Sequence, residues 1–314
     1  MNKTRYSIFS VLFSLALTAI SFVAKSQDDL LKLVDTTKNA PQKSLPTWKD
    51  VKLINVETTK TIDPAVMQFV ILHRFGNVGG EGNGGFHTLA GFDVASDIQF
   101  AFNFGITKNF MLGISRSKQQ ELIDLNAKYR LLTQTSAMPI SLALYGDAGI
   151  TPELNSTFYS GADSTTSRSL MDKLSYFGEV IVDRRFGSHV SLELLAGAQH
   201  RNYLLASTNP DNGASDMNTI PFVAGGGRIM FNKHSSLVFD YYYIVSQYRM
   251  NNAANPYHNP VSIGYEVETG GHVFEVNFSN ASFLDENNLI PYTHDNWLKG
   301  GFKLGFSISR VFNI

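Results

Sequence analysis

The stretch "IQFAFNFGITKNFMLGIS", residues 98–115, decides the fold because it has a period of two. Large apolar side chains occupy every second position: Ile98, Phe100, Phe102, Phe104 and Ile106. The residues between them are Gln, Ala, Asn and Gly, and the same alternation resumes at Phe110 after the polar "TKN". Successive side chains of a β-strand point to opposite faces, so this stretch predicts a hairpin with one apolar and one polar face.

The same alternation returns along the chain in "LIDLNAKYRLL" (122–132), "LSYFGEVIVDRRF" (174–186), "HVSLELLAGAQ" (189–199) and "GGFKLGFSISRVFNI" (300–314). A soluble sheet would need a second layer over its apolar face. No amphipathic helical pattern of adequate length follows Gln27. We therefore predict a closed transmembrane antiparallel up-and-down β-barrel, whose large side chains face lipid and whose small and polar side chains face the lumen.

The connections between these strands alternate between long and short, which is typical of membrane barrels with long outer loops and short periplasmic turns. About twelve strands satisfy the pattern. Phe110, Phe186, Phe231 and Phe312 all fall at the turn side, where an aromatic girdle is expected. A count of ten or fourteen strands is also possible, because the first strand near residues 65–75 and the stretch "PFVAGGGRIMF" (221–231) alternate poorly.

Composition excludes several classes of function. Charged residues are 17% of the 314, against about 25% in soluble proteins. The net charge of −1 gives no field that would attract nucleic acid. The absence of cysteine excludes disulfides, thiolate metal sites, a cysteine nucleophile and a lipoprotein amino terminus.

The amino-terminal region predicts export. Lys3 and Arg5 precede a long apolar run, and Ala24 and Ser26 have the spacing of a signal-peptidase site before Gln27. We predict a cleaved signal peptide at residues 1–26; an amino-terminal membrane anchor is the alternative. Residues 27–64 are predicted to be a periplasmic lead or a partial plug, and residues 65–314 to form the barrel.

The chain resembles an uncharacterised family of outer-membrane β-barrels from Gram-negative bacteria, known as a domain of unknown function. The features that carry the resemblance are "FVILHRFG" (69–76), "LAGFDVASDIQFAFNFGIT" (89–107), "LGISRS" followed by "DLNAKYRLL", and "GGHVFEVNFSNA" (270–281). The resemblance implies a location in the outer-membrane bilayer, and it brings no catalytic residues. For a barrel of this kind we also expect recognition of the C-terminal strand by the barrel assembly machinery.

Charged residues on the polar faces form the main candidate site. Unpaired charges facing lipid are costly, so we place the following residues in the lumen: Asp124, Lys128, Arg130, Glu179, Asp183, Arg185, Glu193, Arg228, Asp240, Glu266, Glu275 and Lys303. Their mixed signs argue against strong selectivity for anions or cations. They either pair across a closed lumen or line a small hydrated pore, and the size of a twelve-stranded barrel does not choose between these.

The sequence gives little support for catalytic or metal-binding sites. His272 and Ser279 are separated by an odd number of positions, so one strand directs them to opposite faces. The pairs in the predicted loops have no zinc-type spacing: His87 with Asp93, and His294 with Asp295. We interpret His73 and Arg74 as rim residues that hold the first long loop, with substrate contact as the alternative.

We therefore expect a non-enzymatic outer-membrane barrel without a cofactor, acting as a narrow passive channel for small polar solutes. Two alternatives stay open. One is a lipid-acting hydrolase, which needs Ser, His and acidic side chains that converge at one rim. The other is a docking barrel that binds a partner through its long loops or its periplasmic lead.

Overall fold

The computed structural model describes residues 47–80, 84–161 and 169–314. The predicted signal peptide and residues 27–46 of the predicted lead lie outside the described residues. The described parts contain twelve strands: β1 (Val66–Asn77), β2 (Ala95–Thr107), β3 (Phe110–Ser117), β4 (Ile123–Leu132), β5 (Ser141–Ile150), β6 (Leu174–Phe186), β7 (Val190–Arg201), β8 (Thr219–Met230), β9 (Ser235–Ile244), β10 (Val261–Thr269), β11 (His272–Ser279) and β12 (Lys303–Asn313).

The strands form one closed antiparallel barrel in which each strand pairs with its neighbours in sequence. β1 pairs with β12 and closes the sheet, with Ile71 opposite Ile308 and His73 opposite Phe306. The prediction of a twelve-stranded up-and-down barrel is therefore confirmed. Closure pairs the backbone of every strand on both sides and leaves no sheet edge open to lipid.

Short and long connections lie at opposite ends of the barrel. At the short-turn end β10 and β11 are joined by Gly270 and Gly271 alone, whose φ values of 50° and 97° suit glycine. At the long-loop end the connections contain two short helices, α1 (Asn155–Phe158) and α2 (Glu286–Tyr292). No helix in the described ranges has the length and apolar character needed to span a membrane.

The two faces of the barrel wall differ as the period of two predicts. On β7, for example, Leu194 is 58% exposed on the outer face, whereas the adjacent Leu195 is fully buried inside. Leu125 and Val276 are also exposed on the outer face. A belt of apolar side chains without protein neighbours is stable only when hydrocarbon covers it.

Two segments occupy the interior of the barrel. The first, which we call the inner hairpin, is residues 47–62; it turns at Leu53, whose N–H donates to the Val56 carbonyl oxygen at 2.9 Å. Its base lies at the short-turn end, where the Thr61 hydroxyl donates to the Lys108 carbonyl oxygen at 2.8 Å. The second, the long-loop insert, is residues 280–302 between β11 and β12, and it carries α2 inside the barrel.

These two segments explain why some strands alternate poorly. On β8, Ile220, Phe222 and Ala224 face inward although they are apolar. They belong to a buried apolar cluster that includes Leu53 of the inner hairpin and Leu289 of the long-loop insert. The interior therefore has an apolar part where the inserts pack, and there the inward face of a strand loses its polar character.

Candidate functional site in the barrel lumen

Most of the charged residues predicted for the lumen have buried side chains inside the barrel. Ten are at most 6% exposed: Asp124, Lys128, Glu179, Asp183, Glu193, Arg228, Asp240, Glu266, Glu275 and Lys303. Arg130 and Arg185 lie at the short-turn end instead. Arg130 donates to the Lys108 carbonyl oxygen at 2.6 Å, and Arg185 donates to the carbonyl oxygens of its own turn, at Gly187 and Ser188.

The inner hairpin binds the wall through charged and polar side chains. The Asn55 backbone N–H donates to Asp240 at 2.7 Å, and its side-chain amide donates to the Ser262 hydroxyl at 2.6 Å. Nearer the short-turn end, the Trp48 indole N–H donates to Asp183 at 2.6 Å. Several predicted lumen residues therefore contact the hairpin, which fills the space that an open pore would need.

Lys128 and Arg228 form buried ion pairs within this network. Lys128 lies 2.7 Å from Glu57 of the inner hairpin, and Arg228 lies 2.9 Å from Glu266 on the wall. The members of both pairs are at most 8% exposed. Removing one member would leave the other charge buried alone, which is costly.

The inner hairpin and the long-loop insert meet near the middle of the barrel. Lys52 of the hairpin lies 2.5 Å from Glu286 of the insert and donates to the Leu284 carbonyl oxygen at 3.1 Å. Arg74 of β1 is fully buried and donates at 3.1 Å to two carbonyl oxygens of the insert and to the Asn55 side-chain oxygen. Arg74 thus binds both inserts, rather than the first long loop as we interpreted from the sequence.

A small central cavity lies between the hairpin, the insert and the wall. Its volume is about 50 Å³, and its lining includes Asp50, Gln99, Asn126, Asp147, Asp285 and Glu286. Carboxylate and amide groups therefore dominate its polar surface. At one side of this region three carboxylates come together, from Asp124 of β4, Asp147 of β5 and Asp285 of the insert.

A larger pocket, the mouth pocket, opens at the long-loop end. Its volume is about 340 Å³, and its lining includes Phe158, Tyr203, Tyr292, Lys173, Arg201, Asn287 and Asn288. Glu153 also lines it; burial, together with the nearby Glu121 carboxylate, raises the pKa of the Glu153 side chain despite the proximity of Lys173. Aromatic rings beside hydrogen-bonding and charged groups are typical of sites for small polar molecules.

Asp295 fixes the long-loop insert at the rim. Its carboxylate accepts hydrogen bonds from Lys303 at 2.6 Å, from Asn77 at 3.0 Å and from Ser282 at 3.2 Å. Burial alone would raise the pKa of Asp295, but Lys303 and the other donors together hold it below its ordinary value. Its role is thus to anchor the loop.

The histidine candidates do not form a catalytic group in the structure. His272 begins β11 at the short-turn end and Ser279 ends the same strand at the other end, where its hydroxyl bonds to Ser262 at 2.9 Å. Ser188 and His189 do touch at 2.6 Å, but they are neighbours in the exposed turn between β6 and β7. His294 contacts the Pro256 carbonyl oxygen at 2.8 Å.

Sequence reasoning missed the lumen residues that lie outside regular alternation. Lys52, Glu57, Asp285 and Glu286 belong to the inserts, where no strand period assigns a face. Asp147 had a usable signal, because it shares strand parity with Tyr145 on β5 and both are buried. The same parity rule would have placed Arg74 inside.

Comparisons with known proteins agree with this architecture. The model of a family described as "Membrane bound beta barrel domain (DUF5777)" matches residues 48–312. No curated protein matches the chain.

Similar solved structures include three membrane proteins. A NanC porin is 7% identical with a TM-score of 0.45, over 79% of this chain and 99% of that one. An outer membrane channel from Pseudomonas putida F1 is 10% identical with a TM-score of 0.45, over 81% and 98%. The Pseudomonas putida toluene transporter TodX is 9% identical with a TM-score of 0.37, over 88% and 100%.

Proposed function

The chain belongs to the family of membrane-bound beta barrel domains (DUF5777), and from that premise we propose that it is a non-enzymatic, narrow, passive outer-membrane channel for small polar solutes. We propose further that the two inserts hold it closed in the conformation described here. Residues 1–26 would be removed on export, as their sequence pattern predicts, and residues 47–62 would act as the plug of the channel.

The observation that carries the proposal is the thinness of the partition between the two cavities. The mouth pocket is lined by Asn287 and Asn288, and the central cavity is lined by Asp285 and Glu286. One short stretch of the long-loop insert therefore stands between them. A small displacement of this stretch and of the hairpin tip that it contacts through Lys52 would join the cavities into one space that opens at the long-loop end. Displacement of the rest of the inner hairpin, whose base lies at the short-turn end, would extend that space through the barrel.

The chemistry of the two cavities supports the choice of solute. Carboxylates outnumber the cationic Lys52 in the lining of the central cavity, and amides are also present, so the cavity favours neutral polar or cationic solutes over anions. Aromatic, hydroxyl, amide and charged groups of both signs line the mouth pocket. A channel with this interior would pass small hydrophilic molecules and exclude large or apolar ones.

Reversible tethering of the inner hairpin tests the proposal. The chain contains no cysteine, so Asn55→Cys with Ser262→Cys gives one defined thiol pair between hairpin tip and wall, at positions whose side chains are in contact. A short bifunctional, reducible thiol reagent would close the pair. Planar-bilayer current is then measured before tethering, after tethering, and after reduction of the same sample.

We expect current through the untethered protein, loss of that current on tethering and its return on reduction. The matched control is Ser262→Cys with Ser279→Cys, which lie on β10 and β11 with their hydroxyl oxygens 2.9 Å apart. Tethering the wall to itself should leave the current unchanged. An untethered protein that never conducts, or a tethered hairpin that conducts fully, contradicts the proposal.

A further inference from the structure

We infer that the lumen holds a site for a hard divalent cation, of the calcium type, formed by Asp124, Asp147 and Asp285. Each of the three contributes a carboxylate oxygen, and these oxygens lie within 4.8 Å of one another. All three residues are at most 6% exposed. They come from β4, β5 and the long-loop insert, so the fold assembles the site from three separate parts of the chain.

None of the three carboxylates forms an ion pair with a lysine, arginine or histidine within the described parts of the chain. The two lysines in this region bind other acids: Lys52 lies 2.5 Å from Glu286, and Lys128 lies 2.7 Å from Glu57. Three close, buried carboxylates repel one another strongly unless a cation or protons neutralise them. A bound divalent cation would neutralise most of this charge.

A buried amide beside the cluster provides independent support. Asn287 is 2% exposed, and its side-chain amide nitrogen donates to Asp147 at 2.5 Å. Its side-chain oxygen has no hydrogen-bond partner, and the same is true of one carboxylate oxygen of Asp124 within the cluster. Buried polar atoms are nearly always satisfied, and an amide oxygen is a normal ligand of calcium.

The geometry and the donor set favour calcium among common ions. Every donor is an oxygen, which hard cations prefer to nitrogen or sulfur ligands. Calcium binds oxygens at about 2.3–2.6 Å, so oxygens on opposite sides of the ion are about 4.6–5.2 Å apart. The carboxylate oxygens lie within 4.8 Å of one another, so none of their separations exceeds what a single calcium ion can bridge. The adjacent central cavity, of about 50 Å³, has room for water ligands.

The site would connect the long-loop insert to the barrel wall. Asp285 precedes α2 in the insert, whereas Asp124 and Asp147 belong to the wall. A cation shared by all three would therefore stabilise the folded position of the insert. This inference does not rest on the proposed channel activity, because binding and unfolding measurements report it without any current.

Calcium titration of the full chain in detergent, after removal of metals with a chelator, tests the inference. We expect saturable binding of one Ca²⁺ by calorimetry and a higher unfolding temperature with Ca²⁺. Asp147→Asn and Asp285→Asn should each weaken binding at least tenfold and abolish the thermal shift. A β-rich circular dichroism spectrum would show that each variant is folded.

Glu193→Gln is the matched control, because Glu193 is a buried lumen carboxylate on β7 whose two oxygens have no hydrogen-bond partner. This variant should bind Ca²⁺ like the wild type. The inference is wrong if the wild type shows no saturable binding at millimolar Ca²⁺, which would indicate that protons neutralise the cluster. It is equally wrong if Glu193→Gln loses as much affinity as Asp147→Asn, which would indicate diffuse attraction by the whole lumen.

Discussion

At the scale of single residues, Arg74 connects the three parts of the molecule that meet in the lumen. It lies on β1 and donates to the long-loop insert through the Ala281 and Phe283 carbonyl oxygens. It also donates to Asn55 of the inner hairpin. A guanidinium group has donors that diverge in a fixed plane, and an ammonium group at one point cannot reach all three acceptors.

Replacing Arg74 by lysine should therefore destabilise the protein although the charge is kept. We expect a loss of about 2–4 kcal/mol in the free energy of unfolding, since buried acceptors lose their donors. Denaturant unfolding in detergent measures it. Arg116→Lys is the control: Arg116 is 3.7 Å from Glu121 and both side chains are about half exposed, so the change should stay within about 0.5 kcal/mol. Similar losses in both variants would contradict this role of Arg74.

Asp295 should make stability depend on acid pH. Its pKa is lowered in the folded state by Lys303 and the other donors, which outweigh the effect of burial. Its stabilisation is therefore complete above the ordinary carboxyl pKa and disappears as the pH falls through the lower, folded value. We expect Asp295→Asn to be less stable than the wild type by about 1–2 kcal/mol at pH 7, and the difference to shrink as the pH falls below about 4.

Unfolding of both proteins in detergent across this pH range checks the prediction. Asp93→Asn, which alters an exposed loop carboxylate, serves as the control and should change the free energy of unfolding at pH 7 by less than about 0.5 kcal/mol. A constant difference between wild type and Asp295→Asn would show that the carboxylate charge contributes nothing.

Strand parity predicted which face of the barrel wall each residue of a regular strand occupies, but it could not predict the positions of residues outside the strands. Glu179 and Glu193 were assigned to the lumen from strand parity and from the cost of a charge that faces lipid, and both are buried there. Glu57 and Asp285 lie inside the same lumen, but they belong to inserts whose path depends on tertiary packing. Only the three-dimensional structure shows which of these acids meet Lys52 or Lys128.

At the scale of elements, the inner hairpin and the long-loop insert explain where the sequence pattern weakened. β1 has the inward residues Val70 and Leu72, which pack against Leu284 of the long-loop insert. A pore open to water would favour polar side chains at these positions. The poor alternation of β1 and β8 thus results from the filling of the lumen. From the sequence alone, however, the same pattern was equally compatible with a different number of strands.

The passage from the inner hairpin to β1 depends on Gly105 of β2. A Cβ atom at this position would lie 1.9 Å from the Asp63 carbonyl oxygen, and the Ala65 N–H donates to the Gly105 carbonyl oxygen at 3.1 Å. The chain returning from the hairpin base therefore runs directly over this residue. We expect Gly105→Ala to reduce the free energy of unfolding by about 1–3 kcal/mol, because the backbone must move away.

Gly146→Ala on β5 is the matched control for this substitution. Its added Cβ would lie 3.7 Å from the nearest atom, the Phe177 carbonyl oxygen, which is ordinary contact. Alanine there should be neutral or stabilise by up to about 1 kcal/mol through reduced backbone entropy in the unfolded chain. Equal effects of the two substitutions, measured by unfolding in detergent, would refute close packing at Gly105.

At the scale of the whole molecule, the architecture was predictable because two independent patterns agree. The alternation of side chains requires an apolar environment around the outer face of the barrel. The lengths of the connections place short turns such as Gly270–Gly271 at one end and the long-loop insert at the other. Both patterns are local in sequence, so they can be recognised without knowledge of tertiary contacts. The filling of the lumen depends on long-range contacts, and for that reason the sequence did not decide between an open pore and a sealed one.

The final prediction tests whether the outer face of the barrel contacts the hydrocarbon of the bilayer. Leu194 lies near the middle of β7 with 58% of its surface exposed on the outer face, whereas Leu154 is 75% exposed in a loop at the long-loop end. Arginine at position 194 would place a charge near the middle of the bilayer, so Leu194→Arg should reduce the free energy of unfolding in lipid vesicles by about 2–4 kcal/mol. Leu154→Arg places the same charge in water and should change it by less than about 0.5 kcal/mol. Denaturant titration in vesicles measures both values, and equal tolerance of the two arginines would mean that the outer face of this barrel does not contact lipid.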